Sequence, residues 1–186
     1  MRVTPLTIDR LAVPAGGTLA LCRCPGRRLP GDPGEPPPSR LDADIRALRS
    51  CGASAVVTLL ETSELARLGV PRLLEAYRRH DLRFWHCPIA DMQTPQSAFV
   101  RAWQDAAPEL QAALGEGGCV AVHCAAGLGR TGMFAARILS LAGLAPDAAI
   151  TAVRRARPGA IETRAQADYV GAAGAFGWPS RARISP

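Results

Sequence analysis

A single three-layer α/β domain, its central sheet mainly parallel and flanked by helices on both faces, is the fold this sequence predicts. Short apolar, β-branched runs alternate with longer stretches of helical period, which is the pattern of strand–helix–strand crossovers. The 186 residues are 48% hydrophobic and 20% charged, enough apolar material for one core. No internal repeat marks a second domain, so residues 1–186 read as one unit, with the core at about 18–176 and a tail at 177–186.

The first strand candidate is Thr18–Cys22. Residues 25–38 are so dense in Pro and Gly that they read as a solvated loop rather than a recognition arm. Ser39 is placed to cap a helix over 40–49, with Leu41, Ile45 and Leu48 on one face. Residues 53–60 form a buried strand, and two short helices follow at 63–68 and 71–79, the second opening with Pro71. Residues 82–89 are a further strand leading into the loop 90–94. Thr94 then caps a long helix that starts at Pro95 and runs to about Leu114, where Gly117 and Gly118 break it. Cys119–His123 is a short strand, 124–130 a glycine-punctuated loop and 131–141 an apolar helix. Helices at 146–157 and from Thr163 to about Ala175 complete the chain.

Composition narrows the function. The 22 basic residues against 16 acidic give a net charge of +6, which favours phosphorylated or other anionic ligands without requiring nucleic acid. Every one of those basic residues is Arg, so Schiff-base chemistry, a lysine general base and a Walker A loop are all excluded. Six irregularly spaced Cys suggest core thiols in a reducing compartment rather than a disulfide scaffold. Pro5, Asp9, Arg10 and Pro14 interrupt the start, leaving no signal segment, and no apolar run reaches bilayer length. A cytoplasmic protein without membrane contact is the expectation.

The segment that carries chemistry runs from Val122 to Gly132, a strand entering a tight loop and then a helix. If the loop curls so that successive N–H groups point inward, it forms an anion-binding nest at a helix N-terminus. Gly127 and Gly129 permit such a curl. Arg130, six residues after Cys124, closes the ring with a bidentate fork that lysine cannot supply. A thiol at the centre of that positive field is expected to be a thiolate, its pKa lowered from about 8.5 into the range of roughly 3.5–7.5. Chance supplies a Cys-x5-Arg-[Ser/Thr] string in such a composition only about 0.06 times. The preceding His and the paired Gly lower that by orders of magnitude.

These residues resemble a family signature. His-Cys-x-x-Gly-x-x-Arg-[Ser/Thr] is the mark of the cysteine-dependent protein phosphatases, and His123, Cys124, Gly127, Arg130 and Thr131 match it at every fixed position. The resemblance implies that Cys124 is a nucleophile forming a phosphocysteine. It implies that the backbone of Ala125, Ala126, Gly127, Leu128, Gly129 and Arg130, with the Arg130 side chain, binds phosphate. Thr131 would ease departure of the thiolate, and His123 would orient the loop. Asp91, on the loop after Pro88-Ile-Ala, fits the family's general acid, with Asp105 a poor second candidate inside a helix. Gln166 resembles the family's water-placing glutamine, although Thr163-x-x-Gln166 is equally a helix capping box.

Leu-Cys-Arg-Cys-Pro-Gly, Pro-Ile-Ala-Asp with Thr94-Pro95, and Pro-Gly-Ala-Ile-Glu-Thr with Gln166 look like the kinase-associated phosphatase branch of the dual-specificity phosphatases. That likeness spans about 18–170 and implies the dual-specificity phosphatase fold with no cofactor and no metal. Ala125, Ala126 and Leu128 add no charge inside the loop, unlike the phosphoinositide-cleaving members. A phosphorylated protein or peptide is therefore the expected substrate, through phosphotyrosine together with phosphoserine or phosphothreonine. The alternatives are a phosphate-binding module without turnover, a thiol-dependent arsenate reductase and a phosphatase of a non-protein ester. His80 and His86 show no obvious partners, and Arg154, Arg155 and Arg157 read as a solvated helix end.

Overall fold

The computed structural model describes residues 5–14, 16–29, 37–172 and 176–178. Five strands form one sheet: β1 (Ile8–Ala12), β2 (Thr18–Cys22), β3 (Ala53–Thr58), β4 (Arg83–His86) and β5 (Cys119–His123). Their spatial order is β1-β2-β5-β3-β4. β2, β5, β3 and β4 run parallel, and β1 is added antiparallel at the edge of β2. The sheet is thus mainly parallel, as the alternation of strand and helix predicts. β1 is the element that sequence reading leaves out, its short run carrying Asp9 and Arg10.

Seven helices cover the sheet among the described residues: α1 (Pro38–Ser50), α2 (Thr62–Arg67), α3 (Leu73–Arg79), α4 (Ser97–Gly115), α5 (Gly129–Leu141), α6 (Pro146–Ala156) and α7 (Arg164–Gly171). Two expected caps are corrected. The N-cap of α1 is Pro37, with Pro38 at the first helical position, so proline's fixed φ sets the start and Ser39 falls inside the first turn. The N-cap of α4 is Gln96 rather than Thr94, and residue 96 remains extended at φ −118°. α3 begins two residues after Pro71, and β3 and β4 stop at Thr58 and His86, where the chain turns into the loops of the site. α7 does open on Thr163, whose side chain accepts from the Gln166 N–H, but it ends at Gly171.

Strand alternation divides the core into two layers. Leu19, Leu21, Val57, Val120 and Val122 face a cluster with Phe99, Trp103 and Phe134 from α4 and α5. Ala20, Cys22, Val56 and Ala121 face the other, with Ile45, Leu48, Leu73 and Tyr77 from α1 and α3. α5 is buried on all sides from Gly129 to Leu139, which accounts for its mostly apolar sequence. Of its two buried charges, Arg137 donates to the Phe176 and Val170 carbonyls at 2.9 Å each, and Arg130 belongs to the candidate site. His80 and His86 do have partners: Asp42 at 2.9 Å and the Leu60 carbonyl at 2.7 Å. Among the described residues no helix is long and apolar enough to cross a membrane.

Candidate active site

The site lies at the C-terminal ends of the parallel strands, beyond His123 at the end of the central strand β5. This is where open α/β sheets bind ligands. In the register of the sheet, His123 sits between Cys22 of β2 and Thr58 of β3. The next residue, Cys124, is 3% exposed and starts the loop.

The hydrogen bonds of that loop run outward from its carbonyls. Ala125 O accepts from Cys24 N–H at 3.1 Å and from Arg27 at 2.8 Å. Arg157 donates to both Ala126 O and Gly127 O while also pairing with Asp9. Leu128 O accepts from Gly132 N–H at 2.8 Å and Ile161 N–H at 3.3 Å. Among the described residues, the N–H groups of Ala125 to Leu128 meet no acceptor, which leaves them to a ligand inside the ring. Gly127 has φ +76°, and a Cβ there would overlap the Cys22 carbonyl, so only glycine fits. Arg157 is therefore a structural clamp on the loop, where sequence reading has a solvated helix end. Arg154 likewise binds the Ala160 and Ile161 carbonyls at 3.2 Å each.

Arg130 is the second residue of α5 and is 1% exposed. Its two terminal nitrogens bind both oxygens of Glu64, at 2.6 and 2.9 Å. Nη1 also donates to Ile89 O at 2.8 Å, and Nη2 pairs with Asp91 Oδ1 at 2.9 Å. Asp91 is 62% exposed in its side chain and precedes Met92, which takes the left-handed φ of 61°, so a turn presents the carboxylate over the loop. The structure brings Asp91 to Arg130 and leaves Asp105 inside α4.

Sequence reasoning misses Glu64. It is locally accounted for by the capping box Glu61-x-x-Glu64 at the start of α2, which hides its second partner 66 residues away. Burial is the largest single influence and would raise the Glu64 carboxyl, but the hydrogen bonds from Arg130 and the Glu61 N–H, with the charges of Arg130 and Arg67, together hold it below the ordinary carboxylate range. Removing Glu64 leaves a buried guanidinium with only Ile89 O and Asp91. We expect Glu64→Ala to cost about 3 kcal/mol of stability in urea unfolding and to weaken vanadate binding. An unchanged midpoint would contradict this.

His123 is fully buried. Its Nδ1–H donates to Cys124 O at 3.2 Å, so Nε2 is the acceptor facing the hydroxyls of Thr58, 3.0 Å away, and Tyr77, 2.9 Å away, its single lone pair taking one O–H while the two hydroxyls bond each other. Burial pushes its pKa down to about 4 from 6.5. A histidine kept neutral by the fold loses stability for the protein as pH falls from 6.5 towards 4. The Glu64 contribution acts in the same sense, present above the ordinary carboxylate range and lost as pH drops through its lowered value. The unfolding free energy from urea titration is therefore expected to stay level from pH 8 to 7 and to fall below about 6.5, by about 3 kcal/mol for His123 alone. His123→Asn should flatten the part of that profile between the two histidine values. A profile that it leaves equally steep would contradict the assignment.

Thr131 Oγ1 and Gln166 Nε2 are buried without a hydrogen-bond partner among the described residues. Gln166 is also the capping-box glutamine: its Oε1 accepts from Glu162 N–H at 3.0 Å and Thr163 N–H at 3.3 Å. Its side chain nevertheless borders the loop, since a Cβ on Gly129 would stand 3.0 Å from Nε2. Of the remaining cysteines, Cys22, Cys24, Cys87 and Cys119 are buried and Cys51 is half-buried. Burial holds the thiols of Cys22 and Cys24 well above their ordinary range and pushes Cys87 up to about 12. These are core thiols.

A thiol at the start of a loop whose N–H groups are unpaired among the described residues, closed by a carboxylate-anchored arginine, is the arrangement that cysteine-dependent phosphatase chemistry calls for. Comparison with known proteins agrees. Residues 34–143 match the family described as Tc-R-P, "Polymorphic toxin system, DSP-PTPase phosphatase". Cyclin-dependent kinase inhibitor 3 of Homo sapiens is 31% identical over 173 residues, covering 90% of this chain and 78% of its own, and the Mus musculus protein of that name is 30% identical over 172. The solved structure of kinase associated phosphatase, with serine substituted for its catalytic site cysteine, superposes with a TM-score of 0.78 at 28% identity, covering 91% of this chain and 94% of that one. Tk-PTP in its active form gives 0.60 at 29% identity, with 83% and 89% covered. The chain belongs to the DSP-PTPase phosphatase family and is a cysteine-dependent protein phosphatase of the dual-specificity type.

Proposed function

We propose that this protein hydrolyses phosphotyrosine and phosphoserine or phosphothreonine on protein substrates, with Cys124 as nucleophile, and that the observation carrying this reading is the arginine fork. Arg130 is held flat by both oxygens of Glu64, with Nη2 turned to Asp91 over the loop. A phosphate entering the loop meets the free N–H groups and competes with Asp91 for Nη2. The Cys124 sulfur then attacks phosphorus while Asp91, displaced towards the leaving oxygen, gives it a proton. In the second half-reaction water cleaves the phosphorus–sulfur bond. The Thr131 hydroxyl, whose Oγ1 has no other partner among the described residues, stabilises the departing thiolate, and Gln166 Nε2 places the water.

The side chains of Ala125, Ala126 and Leu128 bring no charge to the loop, which supports single phosphomonoesters over phosphoinositides. Phosphotyrosyl, phosphothreonyl and phosphoseryl peptides, compared with an inositol phospholipid in reductant and chelator, test the substrate class. Peptide turnover well above lipid turnover is expected. Equal or greater activity on the lipid would overturn this reading.

A further inference from the structure

The loop that carries Asp91 is a four-residue turn, closed by Gln93 N–H donating to Ala90 O at 3.1 Å. Asp91 and Met92 are its two central residues, and Met92 takes φ 61°. A turn with positive φ at its second central position favours glycine, which has no Cβ to clash, or asparagine. The backbone therefore does not account for a methionine. Packing does not account for it either. Among the described residues Met92 is the one large hydrophobic side chain that stands exposed, at 48%, and it belongs to neither core layer.

A single exposed apolar side chain is ordinary on a protein surface. Its position is what sets Met92 apart. Met92 N–H donates to Asp91 Oδ1 at 3.1 Å, and that same oxygen pairs with Arg130 Nη2 at 2.9 Å. One carboxylate oxygen thus joins the Met92 backbone to the guanidinium that closes the phosphate loop. When Asp91 delivers its proton to the leaving oxygen, the residue bonded to it stands beside whatever that oxygen carries. In phosphoserine or phosphothreonine this is a small aliphatic group. In phosphotyrosine it is a flat ring whose burial removes about 150–250 Å² from water. Asp91 and Gln93, exposed on either side of Met92, are polar and offer the ring no such cover. A flexible, polarisable thioether does, and it makes favourable contacts at a ring edge.

We propose that Met92 is a specificity-determining residue that covers the ring of a phosphotyrosyl substrate and tilts the site towards phosphotyrosine, which rests on the protein-substrate reading above. In the free protein the thioether stays wet, at the cost of a backbone conformation that methionine adopts poorly. On binding, ring and thioether leave water together. The contact is made by a part of the substrate that the reaction does not alter, so it is equal in ground and transition states and acts on KM rather than on kcat.

Steady-state hydrolysis of phosphotyrosyl and phosphothreonyl peptides of otherwise identical sequence, by wild type, Met92→Asn and Met92→Leu, tests the assignment. Asparagine suits the positive φ but carries no apolar surface, whereas leucine keeps that surface. Met92→Asn should lower kcat/KM on the phosphotyrosyl peptide about tenfold, through KM, and leave the phosphothreonyl peptide within about twofold. Met92→Leu should stay within about threefold of wild type on both. The ratio between the two peptides is the decisive readout, because Asp91 serves both and general damage to its loop would lower both together. If Met92→Asn changes both peptides alike or neither, or if Met92→Leu falls as far as Met92→Asn, the assignment of Met92 is overturned. If wild type cleaves neither peptide, the protein-substrate reading fails and this inference with it.

Discussion

Cys124→Ser is expected to reduce turnover of an aryl phosphate by at least ~10⁴-fold while leaving the fold and vanadate binding in place. Serine is nearly isosteric, so the loop carbonyls keep their partners in Cys24, Arg27 and Arg157. What it lacks is ionisation. A serine nucleophile needs an adjacent base, and the imidazole next to it in the chain is committed. His123 Nδ1–H is spent on Cys124 O, and Nε2 is occupied by the Thr58 and Tyr77 hydroxyls. Burial also keeps that ring a weak base, with a pKa of about 4. Steady-state hydrolysis and a vanadate titration on the same preparation check both halves, and residual activity within tenfold of wild type would show that another group attacks phosphorus.

Arg130→Lys is expected to be nearly as damaging, although charge is conserved. The guanidinium serves Glu64 with two parallel bonds and also reaches Ile89 O and Asp91. An ammonium cannot span these partners and still present two donors to a phosphate. Loss of a preorganised donor at developing charge costs roughly 10²- to 10³-fold, and the lost fork adds weaker ground-state binding. We therefore expect kcat/KM to fall by at least ~10³-fold, with both a lower kcat and a raised KM. A lysine variant with wild-type KM would mean that the loop N–H groups alone bind the phosphate.

The contiguous part of the site is legible in the sequence because its chemistry is local. His123 to Thr131 are consecutive, and the spacing of Cys124 and Arg130 follows from one turn of loop around one phosphate. Asp91 is legible as an acid between a strand end and a helix, and the structure does bring it to Arg130. Residues whose roles are created by topology are not legible. Glu64, Thr58 and Tyr77 reach the loop only because β3 pairs with β5 and α3 packs beneath them, across 46 to 66 positions of chain. Arg157 reads as a solvated helix end until α6 delivers it to the Ala126 and Gly127 carbonyls.

The fold shows the same division. β-branched runs mark β3 and β5, where both faces are buried. β1 carries Asp9 and Arg10 and owes its extended form to pairing with β2. Helix starts depend on competition among neighbouring residues: Pro38 outranks Ser39 at α1, and α5 begins within the loop at Gly129. That early start places Gly129 and Arg130 in the first turn, where the helix N-terminus favours an anion.

The central claim, a phosphoryl group carried on Cys124, is tested most directly by acid-quenching the wild-type protein during turnover of excess aryl phosphate and mapping the modified peptide by mass. One phosphoryl group on the peptide containing Cys124, absent from Cys124→Ser, is the expected result. Turnover without any covalent phosphoenzyme, or phosphoryl transfer to a residue other than Cys124, would contradict it.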